Sequence, residues 1–321
     1  MLNTPFSPWP SFDHDDVEAV RRVLLSGRAN YWTGEEGRAF EAEFARWTRC
    51  RHAVAVANGT VALDLVWKAL GLARGDEVVV TPRTFLASVS SIINAGASPV
   101  FADVDADSQN ITPASVERAM SRRTRAILCV HLNGWPCEMD PLRELAGAAG
   151  VPLVEDCAQA HGARYRARPA GGLGVLAAWS FCQDKIMSTG GEGGMVTTNN
   201  AAYRSAIWSC KDHGKSLDAV CAPDHAPRFR WLHERFGTNG RLTEMQSAIG
   251  RVQLRRMPQW HAARARNAAQ ILDAARTCPA LRVPEVPGHI THAWYKCYVF
   301  VRPSALREGW DRDRIVHEIN R

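Results

Sequence analysis

Short apolar runs of strand length alternate with helical segments through most of this chain, and that alternation restricts its fold more than any other feature. His52–Ala57, Glu77–Thr81, Pro99–Val104, Ala126–His131 and Val151–Glu155 are rich in Val, Ala and Leu, and runs of that length read as buried strands. Between two of them, Leu63, Val66, Trp67 and Leu70 fall at helical spacing. Gly71 stops that helix, and Gly75-Asp76 turns into the next strand. The order predicts an α/β fold around a large, mainly parallel sheet. Such a sheet takes ligands at the carboxyl ends of its strands.

The flanks are helical. Asp15–Ser26 and Glu36–Trp47 read as amphipathic helices joined by the aromatic loop Gly27–Gly34. Beyond the sheet, Thr243–Met257 and Trp260–Thr277 read as two long helices, and the Pro-rich stretch Pro279–Gly288 as a connector. A strand over Tyr295–Val301 and a last helix from about Asp311 to Asn320 follow. The chain thus divides into a large domain over 1–255 and a smaller C-terminal α/β domain over 256–321. A lone strand leaves both its edges unpaired. Either it pairs with a strand that the pattern hides, or this small domain is incomplete.

Charge and cysteine usage exclude several classes. The formal balance is +6, from 39 Lys and Arg against 33 Asp and Glu, and it is spread along the chain. Arg-rich stretches at Arg122–Arg125 and Arg228–Arg235 suit a solvated basic surface or an electropositive approach for a phosphorylated substrate. No nucleic-acid-binding motif accompanies them. The nine cysteines contain no C-x-x-C pair and no clustered histidine ligands, so no metal site is expected. Their odd number fits reduced thiols in the cytoplasm. The N-terminus has no basic region followed by an apolar stretch, and no apolar run approaches membrane-spanning length. A soluble, cytoplasmic protein is expected.

Three segments carry residues suited to chemistry. Asn58-Gly59-Thr60 follows the first strand and opens a helix, where backbone N–H groups can approach an anion; a plain βα turn is the alternative. Val154-Glu155-Asp156 ends another strand and delivers carboxylates to the sheet edge. A carboxylate there can keep a pyridine nitrogen protonated, or simply cap the next turn. His161, five residues on, reads more readily as a satisfied polar residue than as a catalyst. Trp179–Lys185 places a lysine just past an apolar strand and before Gly190-Gly191-Glu192-Gly193-Gly194. Partial burial favours the neutral amine, which attacks an aldehyde, and glycines let backbone pass close to a cofactor. Ser180 could donate to a phosphate from the same strand. Alone, Lys185 could equally be a surface lysine beside a flexible loop.

In series, the stretches NGTVAL, GDEVVVTPRTFLAS, VEDCAQAHGA, SFCQDKIMSTGGEGGM and FGTNGRLTEMQSAIG resemble the DegT/DnrJ/StrS-type sugar-nucleotide aminotransferases. These are pyridoxal-phosphate enzymes of fold type I, and the resemblance covers roughly residues 5–302. It implies that Gly59, Thr60 and Ser180 hold the cofactor phosphate, and that Phe85 stacks on the pyridine ring. Asp156 would pair with the ring nitrogen, Gln159 would reach the phenolic oxygen, and Lys185 would form the Schiff base. Asn239 resembles the residue that reaches the neighbouring subunit's phosphate, which implies a homodimer with shared sites. Tyr31, Trp32, His161 and His213 lie where members of the family contact substrate.

The implied reaction moves an amino group from an amino acid, L-glutamate by resemblance, to a nucleotide-linked keto sugar. A surface-polysaccharide or lipopolysaccharide pathway follows by analogy. Related sugar dehydratases carry histidine at the lysine position, and Lys185 therefore favours the aminotransferase. Gln183-Asp184 and Gly240 depart from the family pattern and bear on substrate contacts more than on the cofactor. Relatives usually continue through a fuller small domain than one ending at Arg321. A pyridoxal-phosphate protein with a regulatory or structural role is the alternative, and cysteine desulfuration would need a mobile nucleophilic cysteine that no loop motif supplies.

Overall fold

A computed structural model describes residues 8–221 and 233–320 of the chain. Positions 5–7 of the resemblance and positions 228–232 of the second Arg-rich stretch lie outside these residues. The strands are β1 (His52–Val56), β2 (Glu77–Val80), β3 (Ser98–Phe101), β4 (Thr124–Val130), β5 (Leu153–Asp156), β6 (Arg164–Tyr165), β7 (Arg168–Pro169), β8 (Leu176–Ser180) and β9 (Gly194–Thr198), with the short β10 (Leu281–Arg282), β11 (Ile290–Thr291) and β12 (Phe300–Val301) after them. Seven form the main sheet in the order β1-β9-β8-β5-β4-β2-β3. From β8 to β3 every neighbour is parallel, whereas β9 runs antiparallel to both β8 and β1. β1 therefore points the same way as β8, and β9 is the one reversed strand of this sheet. The chain leaves β1, β5 and β8 on one edge, and it enters β9 at that same edge.

Helices cover both faces. They are α1 (His14–Ser26), α2 (Glu36–Thr48), α3 (Gly59–Leu70), α4 (Ala87–Asn94), α5 (Pro113–Ala119), α6 (Met139–Ala148), α7 (Ala201–Lys211), α8 (Leu217–Cys221), α9 (Glu244–Arg276) and α10 (Arg312–Ile319). Alternate strand residues point to opposite faces. Val78, Val80, Leu128 and Val154 accordingly pack with Leu63, Val66 and Trp67 of α3 and Ile92 of α4. Val79, Ile127 and Cys129 face Val116 of α5 and Met139 and Leu142 of α6. Ala55, Trp179 and Met195 meet Phe40 and Phe44 of α2 and Met257 of α9. The same alternation sends Asp156 toward α4 and its neighbour Glu155 to the opposite face.

Two expectations change in the last third of the chain. The two helices expected on either side of Pro258 are one, α9, with Pro258 inside it. Proline removes one helical hydrogen bond and crowds the carbonyl one turn back. Leu254, Met257, Ala268 and Leu272 are nevertheless all buried along the same rod, and their packing holds its two halves together. The junction expected at 255/256 lies inside this helix. The strand expected over Tyr295–Val301 is only Phe300–Val301, and it pairs with Leu281–Arg282 from within the expected connector. Tyr295 is drawn elsewhere, because its N–H donates to the Asn133 carbonyl at 3.0 Å. Among the described residues, no helix is long and apolar enough to cross a membrane.

Candidate active site

The shared edge of β1, β5 and β8 borders a cavity of about 430 Å³. Gly59, Thr60, Phe85, Asp156, Gln159, Ser180 and Lys185 all line it. Segments separated by more than a hundred residues meet there because their strands run in one direction and end together.

One end of the cavity suits an anion. α3 begins at Gly59, and its N-cap Asn58 accepts the Val61 N–H through its side chain at 2.9 Å. The Ala62 N–H donates to the Asn58 carbonyl at 3.0 Å. The Gly59 and Thr60 amides are left as first-turn N–H groups with no acceptor inside the helix, at the end where the helix dipole is positive. Glycine is required at 59 by close approach, since a Cβ there would come within 2.7 Å of Ser180 Cβ. The Ser180 hydroxyl thus lies directly against this turn and, with the Thr60 hydroxyl, brings the donors there to four.

Away from this turn, a carboxylate is held from two sides. Asp156 Oδ1 accepts the Ala158 N–H at 3.0 Å, and Oδ2 accepts the Ser88 hydroxyl at 2.7 Å. Gln159 is also fixed. Its Oε1 accepts the Asn133 N–H at 2.6 Å, so its NH2 group is the part free to donate into the cavity. Phe85 stands at the rim and is 72% exposed. Lys185 Nζ lies 3.1 Å from Asp184 Oδ2 and 3.5 Å from the Tyr295 hydroxyl. Tyr295 in turn donates to Asp184 Oδ2 at 2.5 Å. The lysine and the tyrosine together hold the Asp184 carboxyl below its ordinary value, against the opposing effect of burial. The Lys185 carbonyl accepts the Trp9 indole N–H at 2.9 Å, which ties this turn to the N-terminal segment.

Five expected residues lie away from this cavity within the single chain. Tyr31 is buried under Lys211 Nζ, and its hydroxyl donates to Glu41 Oε2 at 3.1 Å. Trp32 packs edge-on against Trp208 and beneath Lys215. His161 is fully buried behind the Trp179 and Phe181 rings. His213 and Asn239 are exposed on an arm closed by the antiparallel bridges Asp212–Asn239 and Lys215–His233. Phe236, also on that arm, is fully exposed.

Sequence alone did not single out Thr84, Ser88 and Tyr295 as parts of the site, and Asp184 entered only as a departure from the family pattern bearing on substrate contacts. Thr84 and Ser88 stand inside a quoted stretch, but only the fold brings the Ser88 hydroxyl onto Asp156 and the Thr84 hydroxyl onto Ser88. Tyr295 comes from 110 residues downstream of Lys185 with no local signal. Linear spacing also hid a buried group, because Cys129, His131, Cys137, Glu155 and Cys157 come together beneath the sheet. Their polar atoms are largely committed to one another and to backbone. His131 Nδ1 accepts the Cys137 N–H, so Nε2 carries the proton that Glu155 Oε2 accepts at 2.9 Å. Glu155 further accepts the N–H groups of Gly171, Leu173 and Gly174, which makes it the anchor of the loop leading into β8.

Two buried histidines set an acid limit on stability. Burial, reinforced by Lys185 and Arg264, holds His161 down at about 3. Burial and the neighbouring His261 hold His292 at about 3 as well. Unfolded, both titrate near 6.5. The unfolded chain therefore binds more protons between those values, and stability, complete above about 6.5, is lost as the pH falls. Each group contributes about 1.4 kcal/mol per pH unit within that window. Urea midpoints are expected to drop between about pH 7 and about pH 5. Equal midpoints would show that these imidazoles are not held neutral.

Comparison with known proteins bears on this arrangement. A model of the DegT/DnrJ/EryC1/StrS aminotransferase family matches residues 10–321. The dTDP-3-amino-3,4,6-trideoxy-alpha-D-glucose transaminase of Streptomyces venezuelae is 39% identical over 86% of this chain and 69% of its own length. The L-glutamine:2-deoxy-scyllo-inosose aminotransferase of Streptoalloteichus tenebrarius is 35% identical over 91% of this chain and 70% of its own. An aminotransferase from Psychrobacter cryohalolentis, solved by X-ray crystallography, superposes with a TM-score of 0.96 at 55% identity, covering 98% of this chain and 82% of that one.

Proposed function

Because the chain belongs to the DegT/DnrJ/EryC1/StrS aminotransferase family and so takes pyridoxal phosphate as its cofactor, we propose that it transfers an amino group from L-glutamate to a keto sugar carried on a nucleotide. The observation that supports this most is the single cavity that joins an anion cradle, a buried carboxylate and Lys185. When bound, pyridoxal phosphate supplies an electron-poor ring that takes up the electron pair left behind when a proton leaves the carbon next to the amine.

The residues then divide the work. Gly59, Thr60 and Ser180 bind the phosphate. Asp156 holds the proton on the ring nitrogen and keeps that ring cationic, which stabilises negative charge as it develops. Gln159 donates its NH2 to the phenolic oxygen, and Phe85 covers one ring face. Lys185 Nζ would hold the cofactor at rest and, once freed by the donor's own amine, would be the base that takes the proton from the donor's α-carbon and returns it on the far side of the nitrogen. The arm bearing His213 and Asn239 is proposed to reach a second copy's cavity, with the exposed Phe236 covered there. Tyr31 and Trp32 would then act on substrate only by shaping the base of that arm, while His161 backs the ring wall.

The sugar-nucleotide acceptor is supported by the Streptomyces venezuelae relative, which is named for a dTDP-sugar. Another relative is named for glutamine as donor, so both amino acids belong in the assay. A cytoplasmic role in surface-polysaccharide synthesis is part of the same proposal. The test is the absorbance of purified, cofactor-loaded protein before and after L-glutamate or L-glutamine. Loss of the yellow band with release of the matching 2-oxo acid is expected, followed by its return on adding a keto-sugar nucleotide. A yellow protein that answers neither donor would overturn the proposed reaction.

A further inference from the structure

Ser88 is 1% exposed and lies between two other polar side chains, with its hydroxyl 2.7 Å from Asp156 Oδ2 and 2.8 Å from Thr84 Oγ1. Valence fixes the direction of both bonds. An ionised carboxylate has no proton to give, so Ser88 donates to Asp156. A hydroxyl carries one proton, so the remaining contact must be one in which Thr84 donates to Ser88. We infer that Thr84 and Ser88 form a directional hydroxyl relay, and that Ser88 is a positioning residue for the reaction because it sets the orientation of the Asp156 carboxylate. The inference rests on the proposed role of Asp156 at the ring nitrogen.

The surroundings make the relay rigid. Ser91, one turn further along α4, accepts the Trp67 indole N–H at 2.9 Å and donates back to the Ser88 carbonyl at 3.4 Å. This fastens α4 to α3, the helix whose first turn supplies the anion cradle. The other carboxylate oxygen is taken by the Ala158 N–H. With one donor on each oxygen, the carboxylate cannot turn about its Cβ–Cγ bond without losing both. Thr84 immediately precedes Phe85, and the relay therefore also links the rim aromatic to the buried carboxylate. Chains of hydroxyl donors ending on a charge polarise in one direction, which strengthens the final bond.

The relay is tested with the cofactor-loaded enzyme and the variants Ser88→Ala, Ser88→Thr, Asp156→Asn and Ser88→Ala combined with Asp156→Asn. Removing one hydrogen bond to a charged group is expected to lower kcat by about tenfold or more. The KM for the amino-acid donor should stay within about twofold, because the Ser88 hydroxyl is committed to Asp156 and Thr84 and offers nothing further to the donor. Ser88→Thr keeps a hydroxyl at the same place and is expected to recover most of the rate. In the double variant the Ser88 substitution should cost nothing further, since its effect passes through a charge that is already gone. The visible band of Ser88→Ala should also shift from that of the parent.

A parental kcat and spectrum for Ser88→Ala would overturn the relay, as would full additivity of the two substitutions. If Asp156→Asn is itself unimpaired, the role of Asp156 fails and the relay with it. An impaired Asp156→Asn beside an unimpaired Ser88→Ala removes the relay alone. Failure of Ser88→Thr to recover when circular dichroism matches the parent would count against it equally.

Discussion

Lys185→Ala is expected to abolish glutamate-dependent transamination, lowering the rate by about 10⁴-fold or more. The substitution removes two functions at once. The amine that anchors the cofactor's aldehyde is lost, and so is the base that moves a proton at the donor's carbon. The nearest groups are poor substitutes, because Asp184 is engaged by the Tyr295 hydroxyl, burial and Asp184 make that hydroxyl a weaker acid than usual, and His161 lies behind the Phe181 ring. The effect on folding should be small. Lys185 contributes one ion pair, to a carboxylate that is itself largely exposed, and such pairs are worth about 0–1 kcal/mol. A variant that folds and retains the cofactor noncovalently, with the free aldehyde's absorbance in place of that of the lysine-bound form, is therefore the expected result. Product formation is to be followed by chromatography over many hours, with and without a small primary amine in the buffer. Normal turnover would refute the assignment of Lys185, and partial recovery with added amine would identify the missing group as a base.

The second large effect is expected at Asp156. Asp156→Asn is nearly isosteric but neutral, and kcat should fall by about 10²–10³-fold while the protein still binds its cofactor. The geometry explains why so conservative a change should cost so much. Both carboxylate oxygens already accept a hydrogen bond, from Ser88 and from the Ala158 N–H. An asparagine must turn its NH2 group toward one of those donors, and it offers no charge to the ring nitrogen in return. Steady-state kinetics at saturating donor would separate this loss from a binding defect. An unimpaired kcat would remove this carboxylate from the mechanism.

Strand existence was legible in the sequence because buried strands announce themselves as short apolar runs, and each of the five expected runs overlaps a strand of the sheet. The reversed β9 was not, since no local pattern records the direction in which a strand is laid. Pro258 misled because proline's cost is local, whereas the apolar residues flanking it act through distant packing. The cavity-lining residues Gly59, Asp156, Ser180 and Lys185 were accessible because each follows or ends a strand at one edge. Ser88 and Tyr295 were not, as their part depends on which helix face or which distant loop the fold turns inward. His161, read from the residues as a polar residue rather than a catalyst and from the resemblance as a substrate contact, is walled off from the cavity within this chain by the Trp179 and Phe181 rings.

The reversed strand also constrains what can vary. The turn carrying Lys185 leaves β8 at Ser180 and re-enters the sheet next door at Gly194, where the two residues are register partners. A loop pinned at both ends to adjacent rungs has a fixed perimeter. Adding or removing a residue there would shift either the amine or the whole ladder that β9 shares with β1. The described residues 233–239 of the exposed arm carry no rung of the central sheet, whose contact with this segment begins at Gly240, where the Ala57 N–H donates to the Gly240 carbonyl. Lineages or engineers seeking a new sugar acceptor would find room for insertions on that arm, and almost none in the loop that holds the lysine.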